Sequence, residues 1–134
     1  MKQELKQPIS SGLGELDEPL TTAIAAAEEK KAVNVVVLDV RTIASFADVF
    51  LICSGTSSRQ VQAIADEVVE RLKKTGVRPL HIEGYERAEW ILIDYGDLIV
   101  HIFTEAARAF YDLERLWRDA IRLVGGSDED EPPR

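Results

Sequence analysis

Features that would assign a protein to the secreted or membrane classes are scarce in this 134-residue sequence. The single cysteine, Cys53, cannot form an internal disulfide, which is typical of proteins from a reducing compartment. No apolar run approaches the roughly 18 residues that cross a bilayer. Residues 1–19 lack the apolar segment of a signal peptide and the Arg-rich amphipathic pattern of a transit peptide. These absences predict a soluble cytoplasmic protein.

Basic residues are also few, with 16 Lys and Arg against 24 Asp and Glu, for a net charge of −8. Residues 128–134 hold four of the acidic residues and one arginine, so an excess of acid remains in the rest of the chain. Phosphate neutralisation dominates affinity for nucleic acids, and an acidic domain gains nothing from it. If the protein works on a nucleic-acid machine, the acidic composition favours a basic protein over the RNA or DNA as the main contact. No membrane contact is predicted, because no apolar run is long enough.

The length fits one domain with one core. Apolar residues recur at helical spacing in three segments, each opened by a capping residue. The pattern predicts helices from Asp17 to about Lys31, from Ser57 or Ser58 to Gly76, and from Thr104 to about Leu123. The last helix is expected to turn inward Phe110, Leu113, Trp117, Ala120 and Ile121. Residues 1–16 and the acidic residues 125–134 lack this periodicity and are predicted to be flexible or disordered tails.

Five β-branched or apolar runs predict strands at residues 33–40, 49–55, 78–84, 89–94 and 98–103. The link between the first two is too short for a crossover helix, so they should pair antiparallel. The strand–helix–strand segment from residue 49 to 84 should form a right-handed parallel unit. The sequence therefore predicts an α/β fold, a single domain with a mixed five-stranded sheet and about three helices.

A turn with two carboxylates, Asp94 and Asp97, separates the last two strands. Together with Asp39, these residues suggest an alternative function, a nucleotidyltransferase-like enzyme that uses magnesium. A metal-binding pair on one strand favours an i, i+2 spacing, however, and these two residues are three apart around Tyr95-Gly96. Asp and Gly are also common in turns for backbone reasons. The turn interpretation is therefore preferred, and the magnesium alternative is kept.

Four further features each have a structural and a functional interpretation. His101 is either a hydrogen-bonded core residue or a catalytic group, and no second histidine stands at metal-ligand spacing. Cys53 has no neighbouring base in the sequence, which favours a buried core residue over a nucleophile. The serines of residues 54–60 fit helix capping, with anion binding as the alternative. Trp90 at the start of a strand is either core or half-exposed at a protein interface.

Several separated stretches appear in the order of one known family. They are ADVFLICSGTSSRQVQAIADEVVERLKKTG, EGYERAEWILIDYGDLIVHIF and RAFYDLERLW, with LDV in the first strand. Together these stretches resemble the bacterial ribosomal silencing factor, or iojap, family from about residue 20 to 118. The extended N-terminus and the acidic tail depart from the family's usual form, so nothing carries over to them.

The resemblance implies a binding protein that needs no catalysis and no cofactor. Family members bind universal protein fourteen of the large ribosomal subunit, block joining with the small subunit, and repress translation when nutrients are short. The resemblance also implies a nucleotidyltransferase-like fold and a possible homodimer, whereas fold likeness alone carries no activity. It places the partner-binding residues at Trp90, Ile91, Asp94, Tyr95, Asp97, His101, Tyr111, Asp112 and Glu114.

Overall fold

A computed structural model describes residues 17–116, 118 and 120–124. The predicted tails, residues 1–16 and 125–134, lie outside these ranges, as does Trp117. The helices are α1 (Asp17–Glu29), α2 (Ser58–Lys74), α3 (Glu105–Tyr111) and α4 (Leu113–Leu116). The strands are β1 (Val33–Asp39), β2 (Val49–Gly55), β3 (His81–Glu83), β4 (Trp90–Asp94), β5 (Leu98–Thr104) and β6 (Ile121–Val124).

The strands form one mixed sheet in the order β3-β4-β5-β2-β1-β6. The central pair, β2 and β5, is parallel, and every other neighbouring pair is antiparallel. The predicted α/β class, the mixed sheet and the antiparallel β1–β2 pair are confirmed. Strand β3 runs in the same direction as β2, as predicted, but β5 and β4 lie between them. The predicted parallel unit is therefore not a pair of neighbouring strands.

The prediction was wrong about the long last helix. Asp112 adopts a left-handed conformation with φ of 50°, and its N–H donates to the carbonyl oxygen of Arg108, which ends α3. After the short α4, residues 121–124 form β6 and pair antiparallel with β1. The sheet thus gains a sixth strand beside the five predicted ones. Phe110, predicted to face inward, is 80% exposed.

Two hydrophobic clusters cover the two faces of the sheet. On the face covered by α1 and α2, which we call the helix face, strand residues such as Leu51, Val100 and Ile102 pack against the apolar stripes of both helices. The opposite face carries Phe50, Phe103 and Trp90, and we call it the aromatic face. Strands β2 and β5 contribute side chains to both clusters, which explains their nearly continuous apolar sequences.

Gly84 has φ of +79°, a left-handed conformation that L side chains rarely adopt, and a Cβ there would overlap the main-chain carbonyl oxygen of Trp90. Gly76 has a similar φ of +92° but open space around it. We expect Gly84→Ala to lower the free energy of unfolding by about 3 kcal/mol, because overlap adds to backbone strain. Gly76→Ala should cost only about 1 kcal/mol. Equal losses in urea unfolding would contradict the close approach of Gly84 to β4.

Candidate partner-binding face

The candidate site lies on the aromatic face, where β4 alternates between two environments. Ile91 and Ile93 are fully buried on the helix face, whereas Trp90, Leu92 and Asp94 point to the aromatic face and remain partly exposed. This alternation follows from the two-residue period of a strand. In the part of the chain that the structure describes, short elements cover this end of the sheet, and these three side chains remain partly exposed.

Aromatic rings make a continuous row across this face. The ring centroid of Trp90 lies 5.0 Å from Phe103 and 4.7 Å from Tyr111, and that of Phe50 lies 4.7 Å from His101. Each end of the row is open to solvent: Phe46, 6.2 Å from Phe50, is 58% exposed, and Tyr111 is 48% exposed beside Phe110. The row therefore joins a buried centre to exposed apolar ends.

Trp90 and His101 are held together by a hydrogen bond. The indole Nε1–H donates to His101 Nδ1 at 3.1 Å. The acceptor nitrogen must be unprotonated, which fits a neutral imidazole, and burial lowers the pKa of His101 to about 3. Its Nε2 is buried and finds no hydrogen-bond partner within the described part of the chain. The bond fixes the orientation of the indole, and the same indole ring contacts the ring of Tyr111.

Arg108 attaches α3 to the sheet. Its guanidinium donates to the Asn34 carbonyl oxygen at 2.6 Å and to Ser54 Oγ at 2.9 Å. It also binds both carboxylate oxygens of Glu114, at 3.2 and 2.7 Å. A two-pronged arginine–carboxylate pair fixes geometry better than a single contact. Arg108 thus determines where α3 presents Tyr111, and Glu114 has a structural role.

The acidic turn lies at the other end of β4 from Trp90. Asp94 Oδ1 accepts a hydrogen bond from the Gly96 N–H at 2.7 Å. This contact stabilises the turn and accounts for an aspartate at this position without a ligand. Asp97 is exposed, and its carbonyl oxygen accepts from the N–H groups of Asp48 and Val49. Three strand residues separate Asp94 from Trp90, so the two lie about 13 Å apart along β4. Within the aromatic row, Phe46 and not Trp90 lies at this acidic end, since the N–H of nearby Asp48 donates to the Asp97 carbonyl oxygen.

The carboxylates considered for magnesium are engaged separately. Asp39 binds Arg41 through both oxygens, at 2.9 and 2.5 Å, and this side-chain hydrogen bonding lowers its pKa. Three strand spacings separate Asp39 from Asp94, about 14 Å, far beyond two-metal distances. Across the residues that the structure describes, no cluster of three His, Cys, Asp or Glu side chains could hold a metal ion. The geometry therefore does not favour the nucleotidyltransferase alternative.

For Cys53 and the serines of residues 54–60, the structure supports the structural interpretation. Cys53 is fully buried, and burial raises its pKa to about 12, so the thiol stays protonated. Ser57 caps α2 by accepting from the Gln60 N–H. The Gln60 carboxamide accepts from the Thr56 N–H, so capping already occupies this helix start.

Among the described helices, none is long and apolar enough to cross a membrane.

The structure sorts the predicted binding residues into accessible and buried groups. Trp90, Asp94, Asp97 and Tyr111 offer surface, while Ile91 and His101 are buried and can only support their neighbours. Tyr95 packs against the helix-face cluster with a buried hydroxyl, and burial raises its pKa to about 12.

Asp112 ends α3 through its backbone, and its carboxylate lies 3.7 Å from Arg115. Sequence reasoning missed Phe46 and Phe110 as surface residues. Residues 40–48 mix apolar and polar side chains without periodicity, so no clear signal in the sequence indicated that Phe46 is exposed.

Comparisons with known proteins agree with this architecture. The family described as "Ribosomal silencing factor during starvation" matches residues 14–134. The chain belongs to the ribosomal silencing factor family. A ribosomal silencing factor from Halalkalibacterium halodurans is 48% identical over 110 residues, 81% of this chain and 94% of the relative.

A crystal structure of a Chromobacterium violaceum protein, 38% identical, superposes with a TM-score of 0.76 over 78% of this chain and 87% of that one. A more distant mouse relative, 29% identical over 70% of this chain and 42% of its own length, is named "Mitochondrial assembly of ribosomal large subunit protein 1". These similarities support the recognition of the ribosomal silencing factor family and its single-domain α/β fold.

The buried His101 should make stability depend on pH. Its folded-state pKa of about 3 lies below the unfolded value near 6.5, so the unfolded chain binds the proton first as pH falls. The free energy of unfolding should therefore fall between about pH 6.5 and 3. From pH 7 to 5 we expect the wild type to lose about 2 kcal/mol more than His101→Gln.

Chemical denaturation at the two pH values measures this difference. The matched control is Ile52→Val, which shortens the fully buried residue beside His101 on β2, removes no titratable group and should keep the wild-type pH dependence. If His101→Gln retained the whole wild-type pH dependence, the burial of a neutral imidazole would be contradicted.

Proposed function

We propose that this protein uses its aromatic face to bind the large ribosomal subunit through universal ribosomal protein fourteen. Bound there, it would sterically block the small subunit and repress translation under nutrient limitation. The observation that carries the proposal is the aromatic row, whose exposed Phe46, Tyr111 and Phe110 flank a half-buried Trp90. Aromatic side chains dominate binding energy at protein interfaces, and a desolvated anchor contributes about 2 kcal/mol or more.

Charge supports a basic protein as the partner. The exposed Asp97, the partly exposed Asp94 and the neighbouring Asp48 meet at the acidic end of the aromatic face. Carboxylates at the rim of an interface speed encounter with a basic surface more than they add affinity. Such a surface would be repelled by ribosomal RNA, so contact with a ribosomal protein is favoured.

The proposed mechanism needs no catalysis, because a rigid body on a shared surface excludes its competitor. The family assignment supports ribosome association, and the name of the mouse relative supports the large subunit as its site. Repression would then follow occupancy and be reversible. Cytoplasmic location and the homodimer implied by the resemblance belong to the same proposal.

The exposed ends of the aromatic row allow a test that spares the core. We expect Phe110→Ala and Phe46→Ala each to weaken binding to isolated large subunits roughly tenfold, because an interface aromatic would lose its burial. Co-sedimentation should show binding of the wild type to large subunits and not to small ones. Light scattering on mixing the subunits should show that joining recovers in both variants.

The matched control is Ile82→Ala, which shortens an exposed apolar side chain on the helix-face side of the sheet. Circular dichroism and urea unfolding show whether each variant stays folded. If folded Phe110→Ala and Phe46→Ala bound and inhibited joining like the wild type, the aromatic face would be the wrong surface. The same conclusion follows if Ile82→Ala lost binding instead.

A further inference from the structure

A second concave surface lies on the helix-face side, at the sheet edge formed by β3. The cleft has a volume of about 330 Å³ and is lined by Ala65, Asp66, Val69, Glu70, Ile82, Tyr85 and Ile93. Strand alternation places Ile82 and Ile93 side by side on its floor, as their register confirms. Trp90 and Leu92 point to the opposite face, so this cleft is separate from the aromatic face.

The wall of the cleft has a defined geometry. The Tyr85 hydroxyl donates to the two Asp66 carboxylate oxygens at 2.9 and 3.2 Å. The Gln62 carboxamide donates to the Tyr85 carbonyl oxygen at 2.8 Å, which attaches the loop after β3 to α2. The tyrosine ring is thus held upright against α2 while 39% of the residue remains exposed. A flat cation such as a guanidinium can stack against an aromatic ring like that of Tyr85.

The charge of the lining is one-sided. Asp66 and Glu70 stand one helical turn apart on α2, and the described lining contains no basic side chain. Below these carboxylates the floor is apolar, formed by Val69, Ile82 and Ile93. Arginine and lysine bury their aliphatic stem and keep the charged end exposed. Such a side chain would match both the apolar floor and the carboxylates above it.

Strand β3 could pair with the backbone of a partner segment that carries such a side chain. It is the edge strand of the sheet within the described part of the chain, and His81, Ile82 and Glu83 are all exposed. An exposed strand edge pairs readily with an extended segment, and pockets beside it then receive alternate side chains. A second copy of this chain fits poorly, because pairing the same edge would bring two sets of Asp66 and Glu70 together.

We propose that the β3 edge and its cleft bind an extended, basic segment of a partner protein. The segment adds a strand beside β3 and places an arginine over the apolar floor, with its guanidinium against Tyr85 and between Asp66 and Glu70. The cleft would let the protein hold a second basic partner while the aromatic face is occupied. This binding does not depend on the proposed ribosomal function.

The test uses the full chain, labelled with ¹⁵N, and the peptide acetyl-Val-Arg-Val-Arg-Val-amide at low salt. Amide shifts are expected at residues 65–70 and 81–85 and not at the Trp90 indole. Glu70→Gln and Asp66→Asn should each weaken binding about two- to fivefold, because each removes one rim charge. The matched control, Glu18→Gln, makes the same charge change at the exposed start of α1 and should leave affinity unchanged.

Three outcomes would overturn the proposal. Equal weakening by Glu18→Gln would mean that the peptide responds only to net charge. Equal binding of the matched peptide with glutamate in place of arginine would remove the role of Asp66 and Glu70. Concentration-dependent shifts at residues 81–83 without peptide, together with dimerisation in sedimentation, would show that β3 pairs with a second copy.

Discussion

The parallel pairing of β2 and β5 at the centre of the sheet is the constraint on which the rest of the structure depends. Both strands are buried along almost their whole length, so each face of the sheet must be covered. Helices α1 and α2 cover most of one face with their apolar stripes, up to the cleft beside β3. Within the described residues, the other face is covered by short elements and by its own aromatic side chains, and this leaves it partly open.

Several polar groups on the open face are hydrogen-bonded by contacts that also shape the surface. Buried Ser54 and the carbonyl of Asn34 receive the Arg108 guanidinium, and buried His101 receives the Trp90 indole N–H. Unpaired polar groups in a core are costly, so these contacts stabilise the fold. Because the same contacts orient Trp90 and α3, stability and the presentation of the aromatic row are coupled.

The sequence was sufficient for the parts of the fold that depend on local pattern. Helices α1 and α2 and the central strands appear close to their predicted bounds, because apolar periodicity and capping residues are local signals. The prediction of one long last helix was wrong because the apolar residues of the segment 105–124 recur at helical spacing along its whole length. Left-handed Asp112 and the free edge of β1 redirected that segment into α3, α4 and β6, and neither is visible in the periodicity.

By itself, the sequence determined the α/β class and the acidic character, since composition and spacing carry that information. Its resemblance to a known family indicated the ribosomal silencing factors before any contact was seen. Only the tertiary structure decided that Ile91 and His101 are buried and that Phe46 joins the aromatic row. These facts depend on strand register and on which elements cover each face, and long-range packing sets both.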